Sequence, residues 1–224
     1  MTEAEWLTCT DPQAMLEFLK GKTSDRKLRL FAVACCRRVW QVLTDERTRT
    51  IVDISEKYAD GVVSNAQLQQ AHNDACEAAS TAIGPAALYA ATFCGTNLSY
   101  NDAGLSASNC SLFAAQSISN TWDASPDAQE RHAQSVLFHD IFGNSFRPVP
   151  ITRTWQTPLV VALAHAAYEE RALPSGVLDL ARLAVLADAL EEAGCTNPDI
   201  LNHCRDEGPH VRGCWVVDLL LGKE

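Results

Sequence analysis

Residues 25–43, DRKLRLFAVACCRRVWQVL, carry a long amphipathic pattern in this 224-residue chain. At 100° per residue, one broad arc of the helix is apolar: Leu28, Phe31, Ala32, Cys35, Cys36, Val39, Trp40, Val42 and Leu43. Basic and polar side chains occupy the other arc: Arg26, Lys27, Arg29, Arg37, Arg38 and Gln41. The stretch therefore predicts a core helix, capped by Ser24 or Asp25, with a basic outer face.

Helix start and stop signals recur along the rest of the chain. Polar caps followed by proline or acidic residues indicate helix starts, and glycines just after apolar segments indicate helix ends. The starts are Asp11-Pro12, Thr44-Asp45-Glu46, Ser64-Asn65, Ser125-Pro126-Asp127 and Asn197-Pro198, and the ends are Gly61, Gly143 and Gly194. No segment alternates apolar and polar residues as a half-buried strand does, although VVDLLL near the end fits a helix or a strand. These signals predict an all-α, irregular helical bundle of about ten helices.

The length of the chain suits one helical domain spanning residues 1–224. Residues 95–110, GTNLSYNDAGLSASNC, are rich in Gly, Asn, Ser and Asp and predict a loop. The alternative organisation is two subdomains, 1–94 and 111–224, joined by that loop.

Composition favours a cytoplasmic protein. No segment approaches the roughly 18–20 uncharged apolar residues of a membrane helix, and the acidic N-terminus does not resemble a secretory signal. Because cytosolic thiols are kept reduced, we expect the nine cysteines to act mainly as small buried apolar residues.

Charge is concentrated in one segment. Residues 20–49 contain nine of the eighteen Lys and Arg and only three acidic residues, in a chain whose net charge is −10. The overall balance does not favour nucleic-acid binding, which depends on attraction to phosphates. A basic face formed by Arg26, Arg29, Arg37 and Arg38 predicts instead an acidic protein partner or self-association.

The tail holds the densest group of metal-ligand residue types, with Cys195, His203, Cys204, His210 and Cys214 within twenty residues. Zinc prefers Cys and His ligands. His210 and Cys214 are four residues apart and would share a face if the last helix began early enough. The tail therefore offers a candidate zinc site at His203, His210 and Cys214. Asp199 is an optional fourth ligand of this site.

A competing interpretation of the tail needs no metal. The chain has no C-x2-C pair, so its spacing is not that of a common zinc site. The cysteines fit core packing and the histidines fit helix-end capping. We favour this interpretation over metal binding and expect no cofactor, with zinc as the alternative.

Other chemical patterns are weak. His165 and Glu169 lie four residues apart, as do His72 and Cys76, but surface pairing and burial are the ordinary roles of such pairs. Common phosphate-binding, dinucleotide-binding, serine-hydrolase and metalloprotease motifs are missing. The sequence does not decide whether the protein is an enzyme.

Two longer segments resemble a recurring, uncharacterised family of bacterial proteins. They are MTEAEWLTCTDPQAMLEFLKGKTSDRKLRLFAVACCRRVWQVLTDER at the start and LADALEEAGCTNPDILNHCRDEGPHVRGCWVVDLLLGKE at the end, with the FRP element at residues 146–148. The resemblance implies no activity, cofactor or catalytic residue. The leading hypothesis is thus a cytoplasmic protein-interaction or adaptor module, and the alternative is a metal-binding protein or metal-dependent enzyme that uses the tail cluster.

Overall fold

The computed structural model describes residues 1–81, 98, 102–119 and 128–223, and the predicted all-α irregular bundle is confirmed over these residues. They form eleven α-helices and no β-strand, with isolated bridges from Val177 to Ala172 and to Val211. The helices are α1 Glu3–Thr8, α2 Pro12–Leu19, α3 Asp25–Arg38, α4 Glu46–Ala59, α5 Asn65–Thr81, α6 Ala103–Ser119, α7 Ala128–Phe142, α8 Pro158–Glu169, α9 Leu180–Glu192, α10 Pro198–Arg205 and α11 Trp215–Leu221. Single 3-10 turns lie at Trp40–Val42 and Arg153–Trp155.

The chain divides into two compact units, an N-terminal unit, Met1–Phe138, and a C-terminal unit, His139–Glu224. The division falls inside α7, four residues before that helix ends. The single domain, and the alternative of subdomains joined at 95–110, stay predictions.

The N-terminal unit is built around α3, which packs against both α4 and α6. Ser24 caps α3 by accepting a hydrogen bond from the Lys27 amide, as its position before the apolar pattern predicts. The aromatic core joins distant segments: the rings of Trp6 and Phe31 lie 5.6 and 4.9 Å from the ring of Phe138. The amphipathic stretch therefore does form the central helix of this unit.

Two helix boundaries differ from the prediction. Helix α3 ends at Arg38, not Leu43, because the chain tightens into the 3-10 turn at Trp40–Val42. The predicted loop at 95–110 is wrong for residues 103–110, which begin α6. Ala103, Ala107 and Cys110 are buried there, and such packing outweighs the low helix propensity of the neighbouring Gly, Ser and Asn residues.

Some predictions fall on residues outside the described part of the chain. Apart from Leu98, the first part of the predicted loop, 95–101, is among them. The subdomain limit at 94 and the predicted Ser125-Pro126-Asp127 cap also lie there.

The C-terminal unit packs four helices around a separate apolar core. Helix α8 contacts α9 and α11, and α10 contacts α9 and α11. The core includes Tyr168, Leu183, Leu186, Leu190, Ile200, Val216, Val217 and Leu220. The VVDLLL segment is helical, so the strand alternative is wrong for it. Caps at Thr157, Asp179 and Asn197 hold the starts of α8, α9 and α10.

Within the described part of the chain, no helix is both long enough and apolar enough to cross a membrane.

Candidate metal centre

Four potential metal ligands meet in the C-terminal unit. Asp140 lies in the last turn of α7, His203 in α10, His210 in the connection that follows, and Cys214 directly before α11. One carboxylate oxygen, two imidazole nitrogens and one sulfur all lie within 4.8 Å of one another. We call these four residues the Asp/His/Cys cluster.

Local structure in the tail explains how His210 and Cys214 approach each other. Helix α11 begins only at Trp215, so the condition under which both residues would share a face of that helix is not met. A turn brings them together instead: the Cys214 amide donates to the Val211 carbonyl at 2.9 Å. Gly213 supplies the positive φ, +100°, that this turn requires.

The buried Asp140 carboxylate is the centre of the hydrogen bonding. Its Oδ1 accepts from His210 Nδ1 at 2.7 Å and lies 3.2 Å from His203 Nε2. Its Oδ2 accepts from the Val211 amide at 2.8 Å. Only 4% of the Asp140 side chain is exposed, so these contacts replace the water that the carboxylate loses on folding.

His203 joins Cys214 to the rest of the cluster. Its Nε2 lies 3.2 Å from Cys214 Sγ. Its ring meets the His210 ring edge-to-face at 4.6 Å, and the Trp215 indole lies 5.2 Å away on a tilted plane. His210 is oriented from its other side, where Nε2 lies 3.3 Å from the Asp206 carbonyl oxygen.

The protonation of the cluster follows from burial and from the Asp140 charge. Burial alone would raise the pKa of the Asp140 carboxyl, but the hydrogen bonds from His203 and His210 outweigh it and lower that pKa. Burial opposes protonation of His210, but its hydrogen bond to Asp140 and the carboxylate charge raise the His210 pKa. Burial, followed by Asp140, raises the pKa of the Cys214 thiol well above its usual range. Without a cation, the sulfur therefore stays protonated near neutral pH.

Gly143 leaves space for the indole that lies against the cluster. It follows α7 with φ +61°, and its amide donates to the His139 carbonyl at 3.0 Å. A Cβ atom at this position would lie 3.1 Å from Trp215 Cγ, closer than ordinary van der Waals contact. Glycine is thus favoured here for its backbone conformation and for the close approach of Trp215.

We expect Gly143→Ala to destabilise the C-terminal unit by about 1–2 kcal/mol, because alanine is strained at positive φ and would displace Trp215. Gly194→Ala is the matched control. Gly194 also has a positive φ, +85°, but a Cβ atom there would have no neighbouring side chain or backbone within 4 Å. Hydrogen exchange of the α9–α11 amides measures the loss of stability in both variants. An equal loss of protection in the two would show that the Trp215 contact contributes nothing.

The structure brings together the three predicted ligands, His203, His210 and Cys214, and adds one that the sequence interpretation missed. Asp140 lies in the α7 sequence FHDIF, directly after His139 and with Phe138, Ile141 and Phe142 nearby. A carboxylate in such a place is a signal of a buried polar partner, although nothing local identifies that partner. Asp199 is exposed and does not belong to the cluster, so its inclusion was wrong.

The other two tail cysteines fit the packing interpretation. Cys195 and Cys204 are buried in the apolar core of the C-terminal unit. Burial, followed by the neighbouring Cys195 and Asp140, raises the pKa of the Cys204 thiol to about 12. None of the eight cysteines in the described part of the chain forms a disulfide.

The predicted basic face of α3 is wrong for Arg29 and Arg37, which are buried. Arg29 Nη1 donates to the Leu98 carbonyl at 3.4 Å. Arg37 pairs with Asp53 at 2.7 Å and with Glu56 at 3.2 Å. Because α4 and α6 cover two sides of α3, these basic positions point toward neighbouring helices as well as solvent.

The remaining two arginines of that face also make ion pairs within the N-terminal unit. Arg26 Nε lies 3.0 Å from the buried Asp60 carboxylate. Arg38 holds Glu130 at the start of α7 through a two-point contact, with Nε at 2.8 Å and Nη2 at 2.8 Å. Their role in binding a partner stays a prediction, since both side chains already serve the fold.

The weaker pairs lie elsewhere. His165 is exposed, and Glu169 lies 3.3 Å from Arg212. His72 Nε2 lies 3.4 Å from the exposed Cys76 sulfur on α5. Neither pair joins the Asp/His/Cys cluster.

Comparison with protein families finds a match that lies within the N-terminal unit. The family described as "Imm-5 like putative immunity protein" matches residues 19–137, more than half of the chain. The chain therefore belongs to the Imm-5 like immunity family. The match includes the middle of the chain and most of the opening segment whose resemblance to a bacterial family was noted, but not the tail. Comparison with curated proteins and with solved structures gives no match.

Proposed function

We propose that this chain is an immunity-type protein-interaction module whose N-terminal unit binds a protein partner. The observation that carries the proposal is the position of the family match: residues 19–137 lie wholly inside the N-terminal unit, Met1–Phe138. An immunity protein acts by engaging another protein, which agrees with an all-α module without a recognised catalytic motif.

A concave surface of the N-terminal unit supports the proposal. A cavity of about 400 Å³ opens between α2, the start of α3 and the start of α6. Its lining includes Glu17, Lys20, Asp25, Asp102 and Leu105. Leu105 is 49% exposed, so its apolar side chain is available to a partner that enters the cavity.

Charge favours a basic partner at this surface. Residues 1–138 contain 11 Lys and Arg against 16 Asp and Glu. Arg26, Arg37 and Arg38 are each held by carboxylates of the same unit. The cavity lining keeps a negative balance, because it has three acidic side chains and one basic one: Glu17, Asp25, Asp102 and Lys20. Opposite charge steers association. The expected acidic partner at the α3 arginines has less support than a positively charged protein at this cavity.

The proposal predicts that Leu105→Lys weakens binding of a basic partner at least tenfold, because it replaces an apolar contact with a charge of the same sign as the partner. A protein recovered by the full-length chain from cells would be purified and titrated against the wild-type and variant chains by calorimetry. The matched control is Val185→Lys on α9, which replaces a similarly exposed apolar residue, 52% exposed, in the C-terminal unit. Loss of binding in Val185→Lys alone, or in neither variant, would contradict a partner site on the N-terminal unit.

A second candidate function, metal binding, is favoured by the Asp/His/Cys cluster. It lies outside the family-matched residues, so it is a property that the family does not explain.

A further inference from the structure

We propose that Asp140, His203, His210 and Cys214 bind one Zn²⁺ in a closed tetrahedral site that stabilises the C-terminal unit. This inference is independent of the partner-binding proposal, since all four residues follow the family match.

The spacing of the ligand atoms is close to that of a zinc tetrahedron. Zinc bonds of about 2.0–2.3 Å imply ligand atoms about 3.3–3.8 Å apart. His203 Nε2 lies 3.2 Å from both Asp140 Oδ1 and Cys214 Sγ. Asp140 Oδ1 and His210 Nδ1, at 2.7 Å, are closer because they share a hydrogen bond. An ion would replace that bond and separate these two atoms by under about 1 Å. The four ligand atoms all lie within 4.8 Å of one another, so the ion would also draw the wider pairs together by about 1 Å.

The chemistry of the four donors selects a zinc-like ion. Mg²⁺ and Ca²⁺ prefer oxygen ligands throughout, whereas one thiolate, two imidazoles and one carboxylate suit Zn²⁺. The thiolate and the carboxylate together carry two negative charges, which neutralise a divalent ion. Neutrality matters because Asp140, His210 and Cys214 are each under 5% exposed, and an uncompensated charge there would be costly.

Groups around the donors already hold them in ligand orientation. The Val211 amide occupies Asp140 Oδ2 at 2.8 Å, which leaves Oδ1 directed at the cluster. The Asp206 carbonyl lies 3.3 Å from His210 Nε2, so that nitrogen can donate while Nδ1 binds metal. Metal-bound histidines commonly donate their second N–H to a carbonyl or carboxylate in this way.

Four protein ligands make the site structural. Catalytic zinc usually keeps a position for water, whereas closed sites with four protein ligands contribute folding energy. The ligands come from α7, from α10 and from the residues before α11, which are up to 74 positions apart in sequence. A bound ion would therefore join segments that are far apart in the chain, since α8 and α9 lie between α7 and α10.

The test is titration of the metal-free, full-length chain with Zn²⁺ and with Co²⁺. We expect one ion per chain, with Co²⁺ giving the intense visible bands of tetrahedral coordination and a thiolate charge-transfer band. Cys214→Ala should lose the charge-transfer band and bind Zn²⁺ more than about 100-fold more weakly. Cys195→Ala is the matched control, because it removes an equally buried thiol of the same unit outside the cluster.

A measurement on the wild-type chain keeps the proposal testable if Cys214→Ala does not fold. In histidine-ring NMR spectra, Zn²⁺ should shift His203 Nε2 and His210 Nδ1 and leave the exposed His165 unchanged. The proposal would be wrong if the wild type lost Zn²⁺ on dialysis, or if Cys214→Ala and the wild type bound Zn²⁺ with equal affinity. Either result would show that the cluster is only a hydrogen-bonded network. Leu105→Lys should bind Zn²⁺ normally, so a failed partner assay would leave this inference intact.

Discussion

Replacing Arg38 with alanine is expected to destabilise the N-terminal unit by about 3 kcal/mol. The change would leave Glu130, whose side chain is 2% exposed, as a buried carboxylate without its guanidinium partner. Removing one member of a buried ion pair usually costs about 3–5 kcal/mol. The lower end applies because 34% of the Arg38 side chain is exposed. Denaturant unfolding and hydrogen exchange of α3 and α7 measure the loss.

The double variant Arg38→Met, Glu130→Gln separates the ion pair from its surroundings. The amide introduced at position 130 would keep a contact with Gln134, which donates to the Glu130 carboxylate at 3.1 Å in the wild type. We expect this variant to recover more than half of the lost stability, since no buried charge remains. If Arg38→Ala were as stable as the wild type but failed to bind the partner, Arg38 would be an interface residue, as the sequence first indicated.

Asp140→Ala should destabilise the C-terminal unit by about 3 kcal/mol even in the presence of a metal chelator. The substitution removes the acceptor of the His210 ring and of the Val211 amide, both at hydrogen-bond distance inside the unit. Each buried donor left unpaired costs about 1–3 kcal/mol. Hydrogen exchange of the α10 and α11 amides reports the loss in this unit specifically.

Asp188→Ala is the control for that prediction. Asp188 is an exposed carboxylate of the same unit, paired with Arg205 at 2.8 Å, and such surface pairs contribute about 0–1 kcal/mol. Adding Zn²⁺ should protect the wild type and Asp188→Ala but not Asp140→Ala. Equal stability of the Asp140 and Asp188 variants would show that the buried carboxylate is not what organises the cluster.

Much of the fold could be predicted because local signals agree with the final packing. Asp11-Pro12 and Asn197-Pro198 each place a capping residue before a proline, and a helix starts at each. The failures lie where packing overrides such signals. The start of α6 is rich in Gly, Ser and Asn, yet it is helical because Ala103 and Ala107 are buried.

The site could be predicted only in part because its contacts are not local. His203, His210 and Cys214 stand close in sequence, so their crowding was visible. Asp140 is 63 residues before the first of them, and only folding brings it there. The prediction that Arg29 and Arg37 lie on an exposed face was wrong for a related reason. A helical wheel separates apolar from polar arcs but cannot show that these two side chains meet polar groups buried within the unit.

Because the chain divides after residue 138, the zinc concentration would control the stability of one unit and not the other. All four proposed metal ligands belong to the C-terminal unit, so Zn²⁺ binding would stabilise that unit directly against unfolding. Free Zn²⁺ at about 100 times its dissociation constant adds about 2.7 kcal/mol to the stability of the form that binds it. Resistance of residues 139–224 to proteolysis would then rise and fall with the free zinc concentration around the protein.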